Sequence, residues 1–157
     1  MAALKAAFLA SPYGHLRPAA VERPFLLAAA GGLVRGRVDA VYDRDGRLEV
    51  VDFKTGRRPA GDDGLAGFQL DVYALAAVDC WGRSPEGVRT TEWYLAEGAG
   101  DSRDLDAGTI EQVRVRLGDV LAGVSGGRFA PVPGSYCARC DFLAFCPPGR
   151  AAPQPVS

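Results

Sequence analysis

The stretch whose reading decides the fold is GRVDAVYDRDGRLEVVDFKTG, residues 36–56. Up to Tyr42 polar and apolar residues alternate, as in a strand with one buried face. DRDG (43–46) is a strong turn signal, because Asp and Gly accept the backbone that a tight hairpin requires. LEVVDFK (48–54) then returns as another strand. Side chains alternate across a strand, so Asp52 and Lys54 share one face while Val51 and Phe53 share the other. An antiparallel neighbour carrying Asp39 can bring that carboxylate beside Asp52. Two anions facing each other in a partly buried site repel, and a positive group between them relieves the conflict.

Upstream, residues 21–30 suit an extended strand, Gly31-Gly32 is a hairpin signal, and LVRGRVDAVY (33–42) alternates. Consecutive strands joined by tight turns make an antiparallel meander. Residues 2–10 are Ala-rich and predict a short helix, ended by Ser11-Pro12. Downstream of a polar loop (55–64), LAGFQLDVYALAAVDC (65–80) has helical spacing with a broad apolar face, and VRTTEWYLAEG (88–98) predicts a further strand. Residues 107–124 predict a second amphipathic helix, with Ile110, Val113, Leu117, Val120 and Leu121 on one side. The expected fold is α/β: a central mixed sheet, the meander plus a further strand, flanked by helices.

The chain has 157 residues, the size of one ordinary domain. The expected organisation is a single domain over 1–147, with a core at about 20–128, a Cys- and Pro-rich segment at 129–147 and a flexible tail at 148–157. Hydrophobic residues at 48% and charged residues at 24% describe a globular chain and exclude a disordered one. No apolar run is long enough to span a bilayer, and MAALKAAFLA lacks the layout of a signal peptide, so the cytoplasm is the expected setting, without a membrane. Lys plus Arg is 18 and Asp plus Glu 19, giving 18 − 19 = −1. Overall charge therefore does not hold nucleic acid. A local patch, bound metal or a separate delivering domain would have to do so.

Carboxylate oxygens are the ligands that Mg²⁺ and Mn²⁺ prefer, and one or two of them with waters and a substrate phosphate complete an octahedron. A lysine beside such a metal can orient the attacking water and neutralise charge on a phosphoryl group. Asp39, Asp52 and Lys54 thus describe metal-dependent hydrolysis of a phosphodiester. The ordinary alternative is an exposed ion pair on a solvated sheet face.

GRVDAV, the DRDG turn, VDFKTG and FQLDVYALA together closely resemble the nuclease domain of the PD-(D/E)XK superfamily, with its restriction-endonuclease-like core. The branch is the RecB-type exonucleases, as in the RecBCD, AddAB and AdnAB helicase-nucleases. The pattern there is G-x-x-D, then D-x-K, then Q-x-x-x-Y, matched here by Gly36 with Asp39, Asp52 with Lys54, and Gln69 with Tyr73. The resemblance implies that Asp39 and Asp52 bind the metal, with the Phe53 carbonyl as a further ligand, that Lys54 is catalytic, and that Gln69 and Tyr73 support the site. Glu22 matches an acidic position on the first strand and is a further candidate metal ligand, or a strand-edge charge. Relatives carry a helical histidine upstream; His15, in the Pro-flanked SPYGHLRP, reads instead as a surface loop residue. The segment reads as the C-terminal part of a longer protein.

YCARCDFLAFCP places Cys137, Cys140 and Cys146 in C-x₂-C-x₅-C spacing, which lets thiolates converge on one metal centre. It resembles the last ligands of the [4Fe–4S] cluster in AddB-like nucleases, whose fourth cysteine lies upstream of the nuclease strands. No cysteine precedes Cys80, expected as a core thiol, so the alternatives are an incomplete cluster, a Zn²⁺ site using Cys80, or free thiols. Arg35, Arg37, Lys54, Arg57 and Arg58 cluster on and after the aspartate-bearing strands, and Arg57 and Arg58 are placed to hold DNA phosphates or to lie in a solvated loop. Phe129 and Tyr136 could stack on bases or pack in a core.

The resemblance implies an Mg²⁺- or Mn²⁺-dependent deoxyribonuclease, a single-stranded DNA exonuclease in repair or recombination, linked to a helicase. The alternatives are a catalytically inactive DNA-binding or scaffolding module of such a complex, and a structural zinc or iron–sulfur module, which leaves the aspartates unexplained.

Overall fold

The computed structural model describes residues 2–58 and 65–152. The chain divides into two compact units, Met1–Leu121 and Ala122–Ser157. The first contains α1 (Ala2–Ala10), β1 (Ala20–Ala29), β2 (Gly32–Arg44), β3 (Arg47–Lys54), α2 (Leu65–Asp79), β4 (Val88–Tyr94) and β5 (Ala99–Asp104); α3 (Ala107–Ser125) begins in it. The sheet order is β1-β2-β3-β4-β5. Every pairing is antiparallel except β3 with β4, which are parallel and joined by the α2 crossover. This is the mixed sheet flanked by helices that the motif stretch predicts.

The β2–β3 turn is built on Asp45 (φ 54°) and Gly46 (φ 79°), the left-handed pair that suits a two-residue hairpin. The β1–β2 turn uses Ala30 and Gly31 rather than Gly31-Gly32, with Gly32 already paired to Ala29. The strand expected over 88–98 is shorter, and a further strand that was not expected follows it. β4 stops at Tyr94, LAEG turns the chain with Gly98 at φ 63°, and AGDSRD returns as β5. That last run is polar throughout, so it carries no alternation to read.

One core lies between the sheet and α2 with α3: Leu27, Val38, Val41, Leu48, Val50 and Val88 meet Leu75 and Ile110, Val113 and Leu117. Ala74, Leu75, Ala76 and Ala77 are all fully buried, so α2 is enclosed at its centre and its alanines allow close approach to its neighbours. On α3, Val120 is 44% exposed, off the face that Ile110, Val113 and Leu117 bury. The opposite sheet face carries Val51, Ala40 and Tyr42 under Tyr13, with Phe8 of α1, Phe53 and Trp93 packed against them. Tyr13 OH donates to the buried Glu49 Oε1 at 2.8 Å, and Thr91 Oγ1 donates to the same oxygen at 2.7 Å, so this carboxylate has the partners its burial demands.

Strict alternation fails in the middle of β2. Val38 and Val41 both join the α2 core, while Ala40 and Tyr42 join the other. A regular strand would place 38 and 41 on opposite faces. The break falls at Asp39, and Glu22, between the pairs Val21↔Ala40 and Arg23↔Val38, has φ 53°. Irregularities of this kind re-aim a side chain, and the re-aimed residue here is Asp39.

The second unit contains 3-10 turns at Ser135–Arg139 and Leu143–Phe145 and a one-turn helix, α4 (Pro147–Arg150). Cys146 Sγ accepts from Gly149 N at 3.4 Å and caps α4, and Ala152 is buried. The tail expected from 148 is thus folded through Ala152, and residues 153–157 lie outside the described residues. Phe129, at 73% exposure, and Tyr136, at 41%, are surface residues, not core. No helix among the described residues is long and apolar enough to cross a membrane.

Candidate active site

Asp52 and Lys54 lie at the C-terminal end of β3, on the face that α2 covers. The β2–β3 ladder runs from Arg44↔Arg47 to Ala40↔Val51 and stops one pair short of Asp39 and Asp52. There Asp39 Oδ2 replaces the ladder bond, accepting from Phe53 N at 3.0 Å. The motif spacing therefore has a structural meaning: the two aspartates stand opposite each other where the strands part.

Asp52 is buried, and its Oδ2 forms a 2.7 Å ion pair with Lys54 Nζ. Among the described residues that oxygen has no hydrogen-bond partner other than this ammonium. Burial raises the Asp52 carboxyl above its ordinary value; Lys54 pulls it down without cancelling the effect, and Asp39 and Glu92 add to the rise. For Lys54, burial favours the neutral amine, but pairing with Asp52 and then Glu92 outweighs it, and the ammonium is held above its usual range.

Gln69 and Tyr73 lie one helical turn apart on α2 and meet the lysine in series. Lys54 Nζ donates to Gln69 Oε1 at 3.1 Å, and Gln69 Nε2 donates to Tyr73 OH at 2.7 Å. Tyr73 is buried and meets Phe25 edge-on at 5.9 Å. Phe25 in turn lies over Gly36, where an added Cβ would come 2.3 Å from the ring. The glycine of the motif thus makes room for the phenyl ring that backs the tyrosine.

Glu92 was not legible as a site residue. It sits on β4 directly beside Asp52 in the parallel register, with Oε1 3.8 Å from Lys54 Nζ. Its other oxygen accepts from Tyr94 OH at 2.7 Å. Only the parallel pairing of β3 with β4 reveals it, since nothing local in TTEWY marks the glutamate.

Other expected residues lie elsewhere. Glu22 pairs with Arg37 at 2.5 Å, both well exposed, and forms no cluster with Asp39 and Asp52. Arg57 is exposed. Arg58 is fastened to the β4–β5 hairpin, its N–H donating to Glu97 Oε1 at 2.8 Å and its guanidinium pairing with Asp101 at 3.0 Å. His15 is exposed in the turns after α1.

Among the described residues, no three His, Cys, Asp or Glu side chains converge as a ready-made metal cage. Two opposed carboxylates, one with a buried oxygen held only by the Lys54 ammonium, nonetheless fit Mg²⁺ or Mn²⁺, which retain waters and need only one or two protein carboxylates beside a substrate phosphate. Three of the four thiols make hydrogen bonds. Cys137 Sγ accepts from Gly134 N, Cys146 Sγ caps α4, and Cys80, exposed rather than in the core, donates to Leu26 O at 3.4 Å.

The family model of the PD-(D/E)XK nuclease superfamily matches residues 2–147. The Gene 69 protein of Mycobacterium phage L5 is 37% identical over 135 residues, covering 82% of this chain and 44% of its own length. The Gene 69 protein of Mycobacterium phage D29 is 36% identical, with 82% and 48% covered. The chain thus spans less than half the length of these curated relatives. Among solved structures, SSO0001 superposes with a TM-score of 0.53 at 17% identity, over 83% of this chain and 60% of that one, a likeness of fold alone. Matched by that model over residues 2–147, the chain belongs to the PD-(D/E)XK nuclease superfamily.

Proposed function

We propose that this chain is a metal-dependent DNA nuclease that hydrolyses phosphodiester bonds at the Asp39, Asp52 and Lys54 site. Its substrate is single-stranded DNA, degraded as an exonuclease during repair or recombination, with a helicase to deliver the strand. The observation that carries this reading is the 2.7 Å pair of Lys54 with a buried carboxylate, faced by Asp39 on the next strand. A surface ion pair on a solvated sheet would leave Asp52 exposed, and here it is 4% exposed. The net charge of −1 supports delivery by a partner rather than capture by bulk charge.

Asp39 and Asp52 would hold the divalent cation, Mg²⁺ or Mn²⁺. When bound, that ion polarises the scissile phosphate and makes the attacking water more acidic. Lys54, charged and carrying three N–H donors, hydrogen-bonds a phosphoryl oxygen or the water and offsets the negative charge that develops. Gln69 restrains the ammonium, and Tyr73 restrains Gln69. Arg57, three residues after Lys54 in the chain, is assigned a flanking phosphate, while Arg58 is anchored to Glu97 and Asp101. Cys137, Cys140 and Cys146 are assigned a folding role: iron and sulfide, or Zn²⁺, gathered by them would order the second unit. Protease resistance after loading with either tests that role.

The experiment is a titration of Mg²⁺ and of Mn²⁺ against end-labelled single-stranded DNA, with Asp39→Ala and Lys54→Ala alongside. Metal-dependent cutting lost in both variants is expected. Metal binding without cutting would turn the reading to an inactive, DNA-binding module.

A further inference from the structure

The Lys54 ammonium has three N–H donors, and three acceptors surround it. Asp52 Oδ2 is at 2.7 Å, Gln69 Oε1 at 3.1 Å and Glu92 Oε1 at 3.8 Å. The first two distances are bonding contacts, and the third is too long for one. Glu92 Oε1 is nevertheless buried and has no hydrogen-bond partner among the described residues. Its companion oxygen is pinned by Tyr94 OH at 2.7 Å, so the carboxylate cannot swing away to find water. A buried, unpartnered carboxylate oxygen is costly unless a charge can reach it, and Lys54 is the cation it pairs with.

We infer that Glu92 is a positioning residue for Lys54, a waiting acceptor that takes the ammonium when Asp52 turns its oxygen to a divalent cation. This rests on the nuclease reading above. The Asp52 oxygen cannot serve a metal and the ammonium equally, because the two cations repel at that range. A lysine that lost its main acceptor would swing on its flexible stem into solvent. Glu92, next to Asp52 in the parallel register and fixed from behind by Tyr94, keeps it over the reacting phosphate after a move of about 1 Å, from the present ion-pair separation to bonding range. Asp39 is not available for this, since the nuclease reading gives it to the divalent cation and Phe53 N already donates to its Oδ2. Gln69 alone cannot either, because a neutral amide holds an ammonium less strongly than a carboxylate does.

The only lysines in the sequence are Lys5 and Lys54, so amine chemistry reads the cradle with an internal reference. Acetylation of each lysine would be followed by mass spectrometry in wild type, Glu92→Ala and the isosteric Glu92→Gln, with and without saturating Mg²⁺ and without DNA. In Mg²⁺, losing the acceptor should speed Lys54 acetylation relative to Lys5 by about tenfold in Glu92→Ala, the size of one charge-assisted hydrogen bond. Without Mg²⁺, where Asp52 still holds the ammonium, the change should stay below about threefold. Glu92→Gln should cut DNA with a lower kcat and an unchanged KM, and calorimetry should show unchanged Mg²⁺ affinity. Weakened Mg²⁺ binding in Glu92→Gln would make Glu92 a ligand and overturn the proposal. Equal Lys54 reactivity in all variants with Mg²⁺ would overturn it as well, and so would wild type that binds no Mg²⁺. Wild type that shows the acetylation pattern but cuts no DNA would remove the nuclease reading and leave the cradle standing.

Discussion

At the scale of single residues, burial works against the charge of Asp52. Burial raises its carboxyl, so the folded state binds the proton more tightly than the unfolded one. The stability linked to that group is present at low pH and declines as pH rises through the raised value. Asp52→Asn should therefore abolish cutting while leaving Tm at pH 7 unchanged or higher, because Lys54 keeps Glu92 as a counter-charge. A drop in Tm of more than about 3 °C, roughly 1 kcal/mol for a domain of this size, would show that Asp52 is structural. Gly36 offers a second test. A methyl there meets the Phe25 ring, so Gly36→Ala should destabilise by about 1–3 kcal/mol in urea unfolding and disturb Tyr73 behind it. Unchanged stability would mean that the ring yields freely. Asp52, Lys54, Gln69 and Tyr73 were legible one by one because spacing sets their faces, whereas Asp39 sits where β2 breaks its alternation. Glu92 was not legible, because its meaning lies in which strand it neighbours.

At the scale of elements, the sheet is tied across its far end by charge. Arg89 of β4 makes two bonds to Asp104 of β5, at 2.7 and 2.9 Å, and Arg47 of β3 adds a third at 2.9 Å. Arg89 first, and then Arg47, hold the Asp104 carboxyl down, from its ordinary 3.8 to about 2. A depressed carboxyl contributes stability above its unfolded value and loses it as pH falls through the folded one. Wild type should therefore be modestly more stable than Asp104→Asn at pH 6, with the gap closing between pH 3.8 and about 2. Thermal melts across that range check it, and a gap that persists at pH 2 would contradict the linkage. The meander and both long helices follow from hydrophobic period and turn chemistry. β5 does not, since AGDSRD is held by its pairing with β4 and by these ion pairs rather than by burial. Val120 has helical spacing with its neighbours yet stays exposed, because the core closes around Ile110, Val113 and Leu117.

At the scale of the whole molecule, a net charge of −1 sets how DNA can be held. Arg58 is engaged by Asp101 and Glu97 and Arg37 by Glu22, which leaves Lys54 and Arg57 as the phosphate contacts assigned to the site. Binding of single-stranded DNA to the Asp52→Asn variant should weaken only gently with salt, with a log–log slope of about −1.4 for two phosphate contacts. Fluorescence anisotropy at several salt concentrations measures it, and a slope near −4 would reveal a basic surface elsewhere. By itself the sequence determined the α/β class, the β1–β2–β3 meander, and the faces that Asp52, Lys54, Gln69 and Tyr73 occupy, because periodicity and turn residues act over a few neighbours. Only the tertiary structure decided that β4 runs parallel to β3, that β2 breaks its alternation at Asp39, and that Glu92 stands beside Lys54 while Glu22 turns to Arg37. Those outcomes depend on which distant strands pair and where α2 packs, and pairing between distant segments is a property of the assembled sheet rather than of any stretch within it.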